Sequence, residues 1–285
     1  MVKLTNFSRK IKYFLGIEVA YSKQGIFISQ RNYVLDLLQE TRKLGCKPVG
    51  VPIEQNHEMS IEEESVKVDK AQYQRLVGKL IYLAHTRPDI VYATRVGRQF
   101  MHDPKVRHLQ AANRVLQCLK DTPGRGPLFK RGGSLTIEAY TNADYTGSMS
   151  DRRSISSNCT FLCGNLVTWR SKKQSVVARS SVRQNLDLWH KESIKYEGLM
   201  KLFCNNKSTF NIAHNLVQHD KAKHFEIDLH FIKEKLDSES ITTYIPSWHQ
   251  LANVLRNGLP TKHFSQLTWK LGMIDIHSLD WGVML

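Results

Sequence analysis

The amino-acid order predicts an α/β (α+β) chain, a helical block followed by a mixed sheet with helices, and two observations carry that expectation. Between Asp69 and Lys120 apolar residues recur at helical spacing. From Ser134 onward they alternate, or fall in short runs rich in β-branched and aromatic types. The change of period lies near residue 130. Of the 285 residues, 41% are hydrophobic, enough for packed cores. No run approaches the ~18 apolar residues of a membrane span.

Taken in order, residues 13–20 (Tyr-Phe-Leu-Gly-Ile-Glu-Val-Ala) read as a strand. The turn formers Ser22-Lys23-Gln24-Gly25 follow, and residues 26–29 complete a hairpin. Tyr33, Val34, Leu37 and Leu38 give residues 31–44 a helical period that stops before Gly45. Pro48, Gly50, Pro52 and the run Glu62-Glu63-Glu64 mark 45–70 as an irregular connector with a solvated charge run. Tyr73, Leu76, Val77, Leu80, Ile81 and Leu83 then predict a helix. Thr86-Arg87-Pro88-Asp89 breaks it, because Pro cannot continue a helix and restricts its predecessor. Two further helices are expected at about 89–101 and from Pro104 to Lys120, with a loop at 122–126.

The second half reads as a three-strand meander (134–141, 154–162, 166–169), then a strand at 200–204, helices from Lys207 and at 224–236, and a strand at 241–245. Helices at 249–257 and 262–271 close the series. The expected division is 1–68 (hairpin, helix and connector), 69–130 (helical block), 131–260 (mixed sheet) and 261–285 (C-terminal helix and tail).

Lys and Arg number 41 against 26 Asp and Glu, a net charge of +15. Residues 70–130 hold 12 basic residues against Asp89, Asp103 and Asp121. Such a field favours polyanions, since each neutralised phosphate releases counterions. The basic residues are dispersed, which argues against a membrane surface as partner. The N-terminal Met1-Val2-Lys3-Leu4-Thr5-Asn6 lacks a secretory h-region, and Cys46, Cys118, Cys159, Cys163 and Cys204 form no paired framework. Both point to an intracellular chain, cytoplasmic or nuclear, with reduced thiols.

Several stretches are specific in wording: Tyr13-Phe14-Leu15-Gly16-Ile17-Glu18-Val19, Tyr73-Gln74-Arg75-Leu76-Val77-Gly78-Lys79-Leu80-Ile81-Tyr82-Leu83, Thr86-Arg87-Pro88-Asp89-Ile90, Tyr140-Thr141-Asn142-Ala143-Asp144, Trp169-Arg170-Ser171-Lys172-Lys173-Gln174 and Lys223-His224-Phe225-Glu226-Ile227-Asp228. In this order they resemble the C-terminal part of the Pol polyprotein of copia-type (Ty1/copia) LTR retrotransposons, with plant elements as the nearest likeness. The resemblance covers nearly the whole chain. It implies the end of a reverse transcriptase, with a primer-side hairpin and a thumb or connection, followed by a ribonuclease H-like domain. The family combines RNA-directed DNA polymerase and RNA–DNA hybrid ribonuclease activity. Its polymerase aspartates lie upstream of the hairpin with which this sequence opens, so no polymerase catalysis is expected here. On the predicted helix Gln74, Gly78 and Tyr82 stand at i, i+4 and i+8, with Arg75 and Lys79 beside them. In the resembled enzymes that face follows the minor groove of the template–primer duplex.

The family's nuclease uses four carboxylates around two Mg²⁺ ions. Carried over by motif, their positions are Asn142 after Tyr-Thr, Asn185 after Ser180-Ser181, Asn205 after Cys204, and Asn253 after Leu251-Ala252. Asn185 is the least direct match, because the chain between Ser181 and Lys201 is shorter than the family pattern by roughly one helix. Neutral amides do not compensate clustered cations, so Mg²⁺ is expected to be lost or very weakly held, and no other cofactor or metal is expected. Asp144 and His249 are accessory candidates. The expected function is that of a remnant that binds RNA–DNA hybrid or duplex nucleic acid without cleaving it. Two alternatives stand beside it: an active Mg²⁺-dependent ribonuclease H, and a non-enzymatic interaction protein without nucleic-acid binding.

Overall fold

A computed structural model describes residues 12–55, 68–143, 155–173, 200–205 and 241–275. Two compact units emerge: Met1–Arg131 together with Asn257–Leu285, and Gly132–Arg256.

In the first unit, β1 (Lys12–Phe14), β2 (Ile17–Tyr21) and β3 (Gly25–Ser29) form an antiparallel meander. The stretch 13–20 is therefore two strands where the sequence reading has one. Leu15 (φ 49°) and Gly16 (φ 75°) make a tight turn with two left-handed residues, the geometry that suits strand twist. α1 (Arg31–Glu40) follows. The carboxylate of Glu18, buried in β2, accepts from the Asn32 N–H at 2.7 Å and so serves the start of this helix. The helix ends earlier than the predicted 44, because the Thr41 hydroxyl donates back to the Leu37 carbonyl and Arg42 turns left-handed.

α2 (Lys70–Leu83) starts at Asp69, whose side chain accepts from the N–H groups of Ala71 and Gln72. α3 (Val91–Arg98) and α4 (Val106–Asp121) complete the helical block. One core joins Val34, Leu37 and Leu38 to Tyr73, Val77, Leu80 and Leu83 of α2, and to Val115, Leu116 and Leu119 of α4. The predicted loop at 122–126 instead leads straight into β4 (Arg125–Lys130). β4 pairs with β3 through Leu128, Phe129 and Lys130, and with β10 (Met273–Asp275) through Arg125, Gly126 and Pro127. Gly126 is required there, since a Cβ would stand 1.9 Å from the Ile28 carbonyl oxygen. α5 (Thr261–Lys270) precedes β10.

The junction of α2 and α3 is held by charge. Arg87 and Asp89 are each 1% exposed. The guanidinium meets the carboxylate through two bonds of 2.9 and 2.8 Å, and donates to the Thr122 carbonyl at 2.8 Å and to its hydroxyl at 3.1 Å. Arg125 stands 3.5 Å from the same carboxylate. Burial alone would raise the Asp89 carboxyl, but the facing Arg87 charge, its hydrogen bond and Arg125 outweigh burial and hold it below the usual carboxylate range. Beside this pair, burial first and Asp89 second push the Cys118 thiol up to about 12, which suits an inert reduced cysteine.

The second unit is built on β5 (Ile137–Ala143), β6 (Ile155–Leu162), β7 (Asn165–Lys173), β8 (Met200–Cys204) and β9 (Ile241–Tyr244). The spatial order is β7-β6-β5-β8-β9. The first three strands are antiparallel, and β8 and β9 run parallel to β5. This is the mixed sheet the sequence predicts. The segment expected as a helix at 249–257 is instead two 3-10 turns, Ser247–His249 and Leu251–Leu255. The predicted helices from Lys207 and at 224–236 and the connector carrying Glu62 lie outside the described residues, as do Asp144 and Asn185.

Asp89→Asn leaves the Arg87 guanidinium buried without its counter-charge and should cost about 3–5 kcal/mol in urea unfolding followed by the helical circular-dichroism signal. Arg87→Met/Asp89→Leu should recover much of that loss, since both charges are gone. The pH dependence follows from the sign of the shift. The folded carboxyl titrates below its unfolded value of ~3.9, so its contribution is complete above about pH 4 and is lost as pH falls through the lower folded value. Asp89→Asn should flatten that acid limb, and an unchanged acid limb would remove the pair from this role.

Candidate functional site

Two groups of residues singled out in the sequence can be placed. The first lies in the second unit, where the chain leaves β5. Asn142 ends that strand's motif and is 3% exposed, and Asn253, in the 3-10 turn Leu251–Leu255, is 5% exposed. That turn is seated by Gln250, fully buried, whose amide N–H group donates to the carbonyls of Thr141 (2.8 Å) and Phe203 (3.3 Å) while its oxygen accepts from the Ala252 N–H. Ser157 of β6 adds a bond of 2.9 Å to the Ala252 carbonyl. The turn is thus fixed to three neighbouring strands, and Asn253 is carried onto Asn142.

The amides then bond in sequence. Asn142 Nδ2 donates to Asn253 Oδ1, Asn253 Nδ2 donates to the Ser247 carbonyl, and Asn205 Nδ2 donates to Ser247 Oγ at 3.2 Å. Three of the four carried-over positions, Asn142, Asn205 and Asn253, therefore share one network. His249 is exposed and lies against the Trp248 ring, with centroids 4.5 Å apart.

The sequence reading did not single out Arg256. It is 5% exposed, and its Nη1 donates to Asn142 Oδ1 at 2.7 Å. Its signal was the spacing to Asn253, since residues three apart eclipse in a 3-10 turn, but that depends on a local conformation read as α-helix. The donor set does not fit a divalent cation. An ion ~2.1 Å from Asn142 Oδ1 would lie within about 4.8 Å of the Arg256 nitrogen. At an effective dielectric near 20, a double and a single charge so placed repel by roughly 7 kcal/mol. Among the described residues no three His, Cys, Asp or Glu side chains are placed to hold a metal ion.

The second group lies in the first unit, on α2. Its buried side carries Tyr73, Leu76, Val77, Leu80 and Leu83; Gly78 and Arg75 are exposed, and Gln74, Lys79 and Tyr82 are partly so. A Cβ on Gly78 would meet nothing within 4 Å, so helix packing does not call for glycine there. Gln74 donates to the Met101 carbonyl at 2.9 Å, and Tyr82 donates from its hydroxyl to the Leu15 carbonyl in the β1–β2 turn. The Tyr82 ring meets Tyr33 edge-on at 5.3 Å. The turn exposes Tyr13, Phe14 and Leu15 at 60, 71 and 71%. The Tyr82 bond sets the C-terminal end of α2 against the hairpin turn. Lys79 pairs with Glu40 across solvent, a contact worth little. Arg87, counted in the basic field, is withdrawn from it by burial. No helix among the described residues is long and apolar enough to cross a membrane.

No family model matches the chain. The Pol polyprotein of transposon RE1 of Arabidopsis thaliana is 34% identical over 282 residues, which is 94% of this chain and 19% of that protein. The Pol polyprotein of transposon RE2 of the same plant is 33% identical over 289 residues, 96% of this chain and 20% of that protein. The chain therefore spans about a fifth of the length of these relatives. Among solved structures, the N-terminal ribonuclease H domain of Rv2228c from Mycobacterium tuberculosis, solved as a fusion with maltose-binding protein, aligns with a TM-score of 0.30 and 9% identity, over 48% of this chain and 98% of that one. With nearly its whole length matched at this identity, the chain belongs to the copia-type retrotransposon Pol polyproteins.

Proposed function

We propose that this chain binds RNA–DNA hybrid or duplex nucleic acid through the α2 face and the β1–β2 turn, and does not cleave it. One observation carries the reading. Gly78 stands mid-helix on the open side of α2, and beyond the helix's own backbone a Cβ there would meet nothing within 4 Å among the described residues. A glycine at such a place costs about 0.8–1 kcal/mol of helix stability relative to alanine, and no contact among the described residues repays it. Close approach of an outside backbone does. Gln74 and Tyr82 flank it, Arg75 and Lys79 supply positive charge, and the net charge of +15 favours a polyanion. The names of RE1 and RE2 as Pol polyproteins agree with a nucleic-acid partner. An intracellular location belongs to the same reading.

Catalytic silence is supported by the chemistry of the second unit. Asn142, Asn205 and Asn253 carry no charge, and the buried Arg256 cation adjoins Asn142. Such a cluster neither lowers the pKa of a bound water nor clamps a phosphate through metal ions.

Fluorescence anisotropy on a labelled hybrid tests the binding. Affinity should fall steeply with salt, with a log–log slope of about −0.9 per phosphate contacted. Gly78→Leu should keep or raise thermal stability by roughly 0.5–1 kcal/mol, since leucine is the better helix former, yet weaken hybrid binding at least about tenfold. Unchanged affinity in that variant would refute the proposed face. On the same hybrid, at millimolar Mg²⁺ or Mn²⁺, no cleavage should be seen. Turnover that chelator abolishes would overturn the silent reading.

A further inference from the structure

We infer that Arg256 acts as an internal cation at the amide cluster, so that putting carboxylates back at 142, 205 and 253 would create an ion pair with Arg256 instead of a metal site. The inference rests on the reading of this cluster as metal-free and extends it, by naming the residue that keeps metal out once the missing charges return.

The geometry runs through Asn142. Its Oδ1, the atom a divalent ion would need, already accepts from the Arg256 guanidinium at 2.7 Å, and its Nδ2 is committed to Asn253. Replace Asn142 by Asp and the acceptor oxygen gains a negative charge in the same place. The nearest described cation to it is then a guanidinium already at hydrogen-bond distance and 5% exposed. Charge-assisted bonds of that kind are short and roughly twice as strong as neutral ones. A divalent ion would have to displace a side chain held by the same turn that positions Asn253. That turn is itself pinned by Gln250 and Ser157, and the Arg256 N–H donates to the Asn253 carbonyl at 3.1 Å, which ties the arginine's backbone to the same turn. Arg256 thus sets which cation the cluster accepts.

Mn²⁺ binding to the full chain, followed by electron paramagnetic resonance, tests this without relying on activity. Three forms are compared: the unmodified chain, Asn142→Asp/Asn205→Asp/Asn253→Asp, and that triple variant with Arg256→Gln, which removes the charge and keeps an N–H donor. The expected result is little binding in the first two and at least 100-fold tighter binding in the third. Equal binding in the triple and quadruple variants, whether tight or weak, overturns the role of Arg256. Tight binding at the cluster in the unmodified chain overturns the metal-free reading itself, so the two failures are distinguishable. Should the multiple variants fail to fold, Asn142→Asp alone decides. The carboxylate gives up the bond to Asn253 Oδ1, so the melting temperature of this variant should fall by several degrees more in the Arg256→Gln background than with Arg256 present. An equal fall in both backgrounds overturns the inference.

Discussion

The buried Arg87–Asp89 pair is the constraint on which the first unit depends. Its residues lie between α2 and α3, yet the guanidinium also takes the two oxygens of Thr122 just past α4, and the carboxylate faces Arg125 at the start of β4. The pair therefore fixes where three helices meet and where β4 begins. Taking both charges out of water costs several kcal/mol per ion, and the arrangement holds only because the guanidinium's donors are matched in direction as well as in number. A lysine would supply the charge without the planar fork. Pro88 sits between the pair and forces the chain out of α2, so the break in the helix and the placing of the charges come from the same four residues.

Periodicity made the helical block and the meander readable, and α2 and α4 each bury one face and turn the other toward solvent. What stayed hidden was decided at a distance. The stretch 13–20 looks continuous, and only Gly16 marks the turn that divides it. Gly126-Pro127 reads as loop punctuation, since proline has no N–H to give a ladder. The chain is nonetheless extended there, because β10 arrives from nearly 150 residues later to pair with it, while the pairing with β3 stops at Leu128 beside that proline. Nothing local to 122–130 carries that information. In the same way 251–255 has the apolar content of a helix, but Gln250, fixed to Thr141 and Phe203, holds it as a tighter 3-10 turn.

The candidate site was legible to a similar extent. Asn142, Asn205 and Asn253 were found by their neighbours in sequence, and the structure brings them into one hydrogen-bonded group. Arg256 and Gln250, which shape that group, escaped because an arginine and a glutamine near a chain turn read as surface residues until burial is known. The two buried arginines make an instructive contrast. Arg87 faces a carboxylate and helps build a core. Arg256 faces the amide oxygen of Asn142, where the sequence resemblance implies a carboxylate.

The two candidate regions also differ in what they leave uncovered. In the amide cluster the N–H groups of Asn142, Asn205 and Asn253 are turned inward, onto one another and onto Ser247. Such a network has its donors satisfied within the fold, and gains nothing by contact with a ligand that must first break them. On α2 the side-chain donors of Gln74 and Tyr82 are likewise committed within the fold, to the Met101 and Leu15 carbonyls, and the difference lies in the backbone and the hairpin tip. Gly78 leaves backbone open to the outside at a cost to the helix, next to a hairpin tip that keeps Tyr13, Phe14 and Leu15 out of any core among the described residues. Folding alone favours burying that tip and filling that glycine. The proposed nucleic-acid partner would cover that tip and approach that glycine, with its phosphates facing Arg75 and its sugars and bases offering apolar edges. The proposed division of labour follows from this difference: the second unit's cluster is chemically closed, and the first unit's helix face is the part of the chain still shaped for a partner.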